Sequence, residues 1–342
     1  MLSVLDAFRD TAGQGATFQD RAPWWGGDLQ TLRNVVMRRS RGLPGRSSTL
    51  EFPMNDGSGD RLGATLHEPD VPPKDSPLVV LIHGLTGCED SDYMRESARF
   101  HLARGRAVLR LSLRGAGPAG HLASNYYHAG CAADIQGVLE GLHAPRTQHG
   151  LFLVGYSLGG NVLLNWLGRG DKQLPVVGAA TVSAPIEPWQ ACQRMMEPRN
   201  ALYHHFLIQR MKRDVLSFLG LSPSERRTIE GTRNIFEFDD HWVAPRNGFD
   251  DAIDYYTRTA GAQFVPAIAV PTLMIHARND PWIPAEPYLV LKEHDLPQVE
   301  ILLSNSGGHL GFNARGAHET WHDRTIDRYI RKLTGRDASA EQ

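Results

Sequence analysis

Short apolar runs alternate with longer amphipathic stretches along most of this chain, and the rhythm predicts its secondary structure. Residues 48–54 and 61–67 flank the turn sequence Asn55-Asp56-Gly57, which predicts two strands joined by that turn. Residues 78–82 are continuously apolar, as is typical of a strand buried on both faces.

Strands and helices then alternate. The further predicted strands are residues 107–113, 151–154, 176–183, 272–277 and 300–303. The predicted helices are residues 91–103, 130–142, 160–168 and 320–333. This alternation predicts an α/β fold, in which helices flank a mostly parallel sheet.

The alternation of strands and helices stops between residues 185 and 261. This block is rich in charged and aromatic residues, has a helical pattern and contains no strong predicted strand. Because the sheet pattern returns afterwards, we interpret this block as a helical cap inserted into one core domain. The predicted core comprises residues 46–184 and 262–335. Residues 1–45 look irregular and are predicted to pack on the core as an extension, and residues 336–342 form a flexible tail.

Composition indicates how large a core the chain can form and which partners are unfavourable. With 342 residues, of which 41% are hydrophobic, the chain can bury a sizeable core. A net charge of −2 argues against nucleic acid as a partner, and we interpret the basic run Met37-Arg38-Arg39-Ser40-Arg41 as a solvated edge.

Three widely spaced cysteines, Cys88, Cys131 and Cys192, form no CxxC pair, which favours a reducing compartment. The N-terminus lacks the pattern of a signal peptide, and no apolar segment approaches the ~20 residues that span a bilayer. We therefore expect a cytoplasmic protein. A peripheral contact with lipid and the oligomeric state stay open.

The strongest chemical signal is the segment Gly155-Tyr156-Ser157-Leu158-Gly159, which follows a predicted buried strand and precedes a predicted helix. A nucleophile presented on a sharp strand-to-helix turn needs small residues two positions before and after it. The helix N-terminus beyond it favours developing negative charge. Ser157 is therefore the predicted nucleophile.

A serine hydroxyl needs an adjacent base, and the base needs an orienting carboxylate. His309 follows the last predicted strand in Ser306-Gly307-Gly308-His309, and Asp280 follows the strand before it. Both loops end at the sheet edge that carries Ser157, so we predict His309 as the base and Asp280 as its carboxylate. Asp134 is the main rival, but it falls inside a predicted helix, and we interpret it as structural.

A tetrahedral intermediate requires hydrogen-bond donors for its oxyanion. We expect the backbone amide of Leu158, beside the nucleophile, and that of Leu85, in the loop His83-Gly84-Leu85-Thr86-Gly87, to form this oxyanion hole. His83 is interpreted as bracing the loop, and Cys88 as an inert small side chain.

The cap sequence contains Phe236-Glu237-Phe238-Asp239-Asp240-His241-Trp242. No partner with metal-ligand spacing accompanies Asp239, Asp240 and His241, so we predict no metal site. No nucleotide-binding glycine motif is present, and no cofactor is expected. Phe236, Phe238 and Trp242 are the candidate substrate-binding residues.

Together these motifs resemble the YheT-like branch of the α/β hydrolases. The likeness spans residues 20–335 and includes Arg278-Asn279-Asp280-Pro281, Gly307-Gly308-His309 and the order Ser, Asp, His along the chain. It implies the α/β-hydrolase fold, a Ser-Asp-His triad and carboxylic-ester hydrolysis, with lipid esterases among the relatives. The family's N-terminal segment usually carries Asn-x-His before Gln-Thr, whereas Gly26-Gly27-Asp28-Leu29 precedes Gln30-Thr31 here.

The leading hypothesis is a serine hydrolase that cleaves small-molecule esters, with short- to medium-chain acyl groups or monoacylglycerol-like structure, through an acyl-enzyme on Ser157. An acyltransferase or an amidase with the same triad is the alternative, since only the acceptor or the scissile bond would differ. A non-catalytic binding module on this scaffold is a third hypothesis, which the intact Ser157, Asp280 and His309 disfavour.

Overall fold

The computed structural model describes residues 18–37, 42–70, 75–170, 173–217 and 220–335. The basic run at residues 38–41, residues 1–17 of the predicted N-terminal extension and the predicted tail at residues 336–342 lie outside these ranges.

One eight-stranded sheet organises the described residues, with the strand order β1-β2-β4-β3-β5-β6-β7-β8. The strands are β1 (Arg46–Pro53), β2 (Arg61–Glu68), β3 (Leu78–Ile82), β4 (Val108–Leu111), β5 (Leu151–Tyr156), β6 (Val176–Val182), β7 (Thr272–Ala277) and β8 (Val299–Ser304). Strands β1 and β2, and β2 and β4, pair antiparallel, and the other neighbours pair parallel. The predicted α/β fold with a mostly parallel sheet is confirmed.

Seven α-helices formed by described residues belong to the sheet layers or to the N-terminal segment. They are α1 (Gly26–Val36), α2 (Asp92–Leu102), α3 (Ala132–Glu140), α4 (Ala144–Thr147), α5 (Leu158–Arg169), α12 (Glu286–Lys292) and α13 (Trp321–Leu333), with a 3-10 turn at Gly120–Leu122. Every residue of β3, β5 and β7 is buried, because helices cover both faces of the sheet. The carboxyl ends of these parallel strands therefore meet at one edge, where their loops can converge.

A helical segment lies between β6 and β7. It contains α6 (Pro188–Met196), α7 (Ala201–Leu216), α8 (Pro223–Gly231), α9 (Ile235–Phe238), a π-helical stretch (Asp239–Val243), α10 (Ala244–Arg246) and α11 (Ala252–Thr259), with 3-10 turns at Pro198–Asn200 and Gly261–Ala267. Its buried apolar residues, among them Met211, Phe238 and Trp242, join the core cluster on one face of the sheet.

The N-terminal segment is more ordered than the expectation of an irregular stretch, since residues 26–36 form helix α1. The propensity of Gly26-Gly27 for helix is poor, and tertiary contacts override it. Gln30 is fully buried, and its amide group bonds with Asp20, the Trp24 carbonyl and the backbone of Asn313. These contacts hold α1 against the loop that follows β8.

Candidate active site

Ser157 lies on the turn between β5 and α5 with φ +49° and ψ −124°, a backbone conformation that is strained for a residue with a side chain. Close packing around the turn explains the small neighbours. A Cβ on Gly159 would lie 2.3 Å from the His83 carbonyl oxygen, and one on Gly155 2.6 Å from the Gly159 carbonyl oxygen. A Cβ on Gly84 would lie 2.8 Å from that of Ser157. The strand–turn–helix context thus holds the serine at the sheet edge.

The structure brings the three predicted catalytic residues together. His309 Nε2 lies 3.0 Å from Ser157 Oγ, and His309 Nδ1 lies 2.9 Å from Asp280 Oδ2. The side chains of His309 and Asp280 are almost fully buried, while Ser157 is partly exposed to a cavity. The three groups form one continuous line of hydrogen bonds that ends on an accessible hydroxyl.

The environment of Asp280 keeps its carboxylate charged. Burial alone would raise its pKa, but the neighbouring His309 and the hydrogen bonds to Asp280 outweigh burial and lower the pKa below its usual value. Its second oxygen, Oδ1, accepts from the amides of Trp282 and Ile283. An ionised Asp280 accepts the Nδ1–H of His309, which leaves the Nε2 lone pair facing the hydroxyl of Ser157.

The rival carboxylate, Asp134, has a different partner. It is buried and accepts hydrogen bonds from Arg114, whose guanidinium also bonds with Asp60 and Asp56. Desolvation raises the pKa of Asp134 despite that cation. Asp134 therefore takes part in an ion-pair cluster between β2, β4 and α3, as its helical position suggested.

The loop after β3 is held by side chains that leave one of its amides unused. The Gly84 amide donates to Tyr93 Oη and the Thr86 amide to Tyr127 Oη. His83 is buried, its Nδ1 donates to the Gly84 carbonyl oxygen and its Nε2 accepts from the Leu113 amide. Desolvation lowers the pKa of His83 to about 4, which keeps the ring neutral and suits a bracing role.

Between these anchored positions lies Leu85, and directly after Ser157 lies Leu158. Within the described ranges, neither amide nitrogen donates to another protein group, and both residues line the same cavity as Ser157 and His309. Two backbone amides without a protein acceptor thus belong to residues in the wall of the cavity that holds Ser157, and an oxyanion would need two such donors.

A cavity of about 660 Å³ extends from Ser157 beneath the helical segment between β6 and β7. Phe238 and Trp242 line it, as expected of substrate-binding residues. Phe236 is not among the residues that line it. It packs against Trp189 with a ring-centroid distance of 5.7 Å, because the single helical turn of α9 directs positions 236 and 238 to different sides.

The acidic residues of the helical segment between β6 and β7 make separate contacts. Asp239 lines the cavity and accepts a 2.6 Å hydrogen bond from Tyr256 Oη, and burial raises its pKa to about 7. Asp240 accepts from the amide of Ala252, and His241 is more than half exposed. Among the described residues, no group of three His, Cys, Asp or Glu side chains is placed to hold a metal ion.

Helix α1, for which the sequence predicted no role, touches the loop that carries His309 and the loop that carries Asp280. The amide of His309 donates a 2.8 Å hydrogen bond to Thr31 Oγ1, and Thr31 donates to the Gly27 carbonyl oxygen. A Cβ on Gly27 would lie 1.9 Å from the Asn279 carbonyl oxygen, and one on Gly308 2.3 Å from that of Gly27. The Gln30-Thr31 pair was the available sequence signal for such a role. It matches no motif whose spacing implies catalysis or binding.

Comparison with known proteins places the geometry in a family. A model described as the alpha/beta hydrolase family matches residues 79–333. The YheT protein of Escherichia coli (strain K12) is 32% identical, with 83% of each chain covered. Medium-chain fatty acid ethyl ester synthase/esterase 2 of Saccharomyces cerevisiae is 27% identical over 76% of this chain, which spans only 63% of that protein.

A solved structure gives the same fold at low sequence identity. The esterase Pf2001 of Pyrococcus furiosus superposes with a TM-score of 0.56 at 14% identity, over 93% of this chain and 97% of its own. The resemblance to the YheT-like branch and the predicted α/β-hydrolase fold are confirmed. None of the helices formed by described residues is long and apolar enough to cross a membrane.

Proposed function

This chain belongs to the alpha/beta hydrolase family, and we propose that it hydrolyses carboxylic esters through an acyl-enzyme on Ser157. One observation carries the proposal, namely the continuous hydrogen bonds from Ser157 Oγ through His309 to Asp280. The same line of groups activates a serine hydroxyl in hydrolases of unrelated folds.

In the first step, Ser157 Oγ attacks the ester carbonyl carbon while His309 Nε2 accepts the hydroxyl proton. The resulting imidazolium is stabilised by the carboxylate of Asp280, which keeps Nδ1 protonated throughout. The carbonyl oxygen becomes an oxyanion and accepts hydrogen bonds from the amides of Leu85 and Leu158. Each such donor contributes on the order of 3 kcal/mol to transition-state stability.

Collapse of the tetrahedral intermediate breaks the bond to the alcohol, which takes the proton from His309 Nε2 as it leaves. A water molecule then attacks the acyl carbon of the acyl-enzyme, with His309 again accepting a proton. A second collapse releases the carboxylic acid and restores the hydroxyl of Ser157. The partly exposed position of Ser157 at the cavity gives water the access this step needs.

The cavity supports an apolar acyl group as the substrate's larger part. Its wall includes Phe238, Trp242, Met195, Met211 and Val215, which offer apolar surface worth about 25 cal/mol per Å² covered. We propose short- to medium-chain acyl esters and monoacylglycerol-like esters as the substrate class. The medium-chain fatty acid ethyl esters in the name of the yeast relative agree with this class.

The test combines labelling with turnover. A fluorophosphonate should label the protein, label the Ser217→Ala variant equally, and leave Ser157→Ala unlabelled. A panel of p-nitrophenyl esters and monoacylglycerols of graded length should be hydrolysed by the parent and by Ser217→Ala, but not measurably by Ser157→Ala. Unchanged labelling or turnover in Ser157→Ala would overturn the assignment.

Transfer of the acyl group to an alcohol is the second candidate, since the yeast relative is named as both a synthase and an esterase. The triad is the same, and only the acceptor in the second step differs. Product analysis in the presence of graded ethanol distinguishes the two. A product ratio of ethyl ester to acid that exceeds the ratio of ethanol to water would identify transfer as the favoured reaction.

A further inference from the structure

Helix α1 presents an apolar stripe to solvent. Trp25, Leu29, Leu32 and Val36 are spaced by four, three and four residues and therefore share one helix face. Their exposed fractions are 60%, 41%, 38% and 66%. Apolar side chains at helical spacing normally face a core, and here they face away from it.

Helix α7 carries a second exposed stripe, whose side chains change from apolar to cationic along the helix. Leu202 and Phe206, one turn apart, are 69% and 65% exposed. Arg210 and Arg213 continue the same face and are also exposed. The stripe is thus apolar near the start of α7 and cationic near its end.

The start of α7 meets α1 at the opening of the catalytic cavity. Arg199, just before α7, pairs with Asp28 of α1 at 3.0 Å, and Tyr203 Oη donates to the same carboxylate. Leu32 and Phe206 are exposed and also line the cavity. The apolar surface outside the molecule therefore continues into the cavity that holds Ser157.

We define the mouth patch as the exposed apolar residues of these two helices, namely Trp25, Leu29, Leu32, Val36, Leu202 and Phe206. Of the ten large apolar side chains that are exposed in the described part of the chain, these are six, and Met37 beside them is a seventh. A concentration of this kind marks an interaction surface, whereas scattered apolar residues would not.

The charges beside the mouth patch favour an anionic partner. Arg210 and Arg213 line the cavity opening, and within the described ranges neither lies in an ion pair with a carboxylate. Asp214, between them in sequence, is about half buried, and burial raises its pKa despite both cations.

We propose that the mouth patch docks on a lipid–water interface that carries anionic headgroups, so that ester lipids pass from the interface into the cavity. The substrate class rests on the proposed function, while the docking does not require turnover. Tryptophan, phenylalanine and leucine side chains enter the headgroup region, and arginines bind lipid phosphates. A second copy of the chain seated on the same patch would cover the cavity opening. A lipid surface would instead supply ester lipids, whose apolar acyl groups the cavity accommodates.

Flotation with vesicles tests docking apart from catalysis, because the catalytically blocked Ser157→Ala protein can be used. We expect it to bind vesicles of phosphatidylcholine with a quarter phosphatidylglycerol more tightly than vesicles of phosphatidylcholine alone. Adding Trp25→Ser, Leu29→Ser and Leu202→Ser should weaken binding by about tenfold or more. The control pair Ile253→Ser and Val290→Ser, which removes exposed apolar residues on other helices, should bind like Ser157→Ala.

A second variant tests the two arginines beside the mouth patch. Arg210→Gln with Arg213→Gln should remove most of the preference for anionic vesicles and leave binding to neutral vesicles within about twofold. Absence of vesicle binding by Ser157→Ala, or equal loss in the patch and control variants, would overturn the proposal. A dimer of the parent that the serine triple variant dissociates, without vesicle binding, would identify a contact between copies instead.

A soluble substrate separates this proposal from the proposed function. With Ser157 intact, the serine triple variant should hydrolyse p-nitrophenyl acetate like the parent and lose activity on esters presented in vesicles. If the parent hydrolyses no ester but Ser157→Ala binds vesicles as expected, the proposed function fails and the docking surface stands.

Discussion

The side chain of Thr31 accepts a 2.8 Å hydrogen bond from the backbone amide of His309, 278 positions away in the chain. The loop around His309 needs such an anchor. Gly307, Gly308, Leu310 and Phe312 all have positive φ, which is unfavourable for the two that carry side chains. Helix α1 thus stabilises the conformation in which the imidazole faces Ser157.

Thr31→Val removes the acceptor while keeping the shape of the side chain. We expect kcat for a soluble ester to fall by about tenfold to a hundredfold, because a small displacement of the base misaligns proton transfer. Thr31→Ser retains the hydroxyl and should stay within about threefold of the parent. Equal losses in both variants would mean that packing of the methyl group, and not the hydrogen bond, is what matters.

Asp280→Asn should lower kcat by up to ~10⁴ while the protein remains folded, since an asparagine favours the wrong tautomer of His309. Circular dichroism and thermal unfolding would check that the variant is folded. Steady-state kinetics would measure the decrease in kcat.

Asp134→Asn is the matched carboxylate variant. It weakens the buried contact with Arg114 and should lower the free energy of unfolding by about 1–3 kcal/mol. The activity per folded molecule should change little. A large drop in kcat for Asp134→Asn, with Asp280→Asn near the parent, would move the catalytic carboxylate to position 134.

Phe238→Leu removes part of the cavity wall, and Phe236→Leu removes equal volume outside it. The first variant should lower kcat/KM for octanoyl esters about three- to tenfold more than for acetyl esters, because the longer acyl group covers more of the lost apolar surface. The second should affect both esters alike. A chain-length dependence in Phe236→Leu that matches that of Phe238→Leu would argue against this cavity as the acyl site.

Burial raises the pKa of Asp239 to about 7, although the hydrogen bond from Tyr256 acts in the opposite direction. An aspartate in an unfolded chain titrates near ~3.9. Between these values the folded protein keeps a proton that the unfolded chain releases. The free energy of unfolding should therefore decrease as pH rises from about 4 to about 7, and level off above.

Asp239→Asn is neutral at every pH and should abolish this contribution. We expect the variant to be more stable than the parent at pH 8 by about 1 kcal/mol or more, with a smaller difference at pH 5. Urea unfolding at both pH values measures this, and Asp250→Asn, at an exposed carboxylate, provides the control. A parent that is as stable at pH 8 as at pH 5 relative to Asp239→Asn would contradict a buried, proton-retaining carboxyl.

The site residues that the sequence predicted and the structure brings together are those with local signals. Ser157 stands in a short segment in which the strand, the turn and the helix are all encoded within about ten residues, and the structure has each of them. His309 and Asp280 follow strands whose order along a parallel sheet is constrained, so their loops converge at one edge. Their mutual distances agree with the arrangement expected from that topology.

Other features depend on pairs that are distant in sequence. Whether Phe236 or Phe238 lines the cavity depends on how one turn of helix is rotated against the core, and composition carries no information on that rotation. The sequence by itself determined the fold class and predicted Ser157 as the nucleophile, because hydrophobic periodicity and a turn motif act over a few residues. Only the tertiary structure decided that α1 holds the His309 loop and borders the cavity opening with α7, because hydrogen bonds and burial join residues that folding brings together across the whole chain.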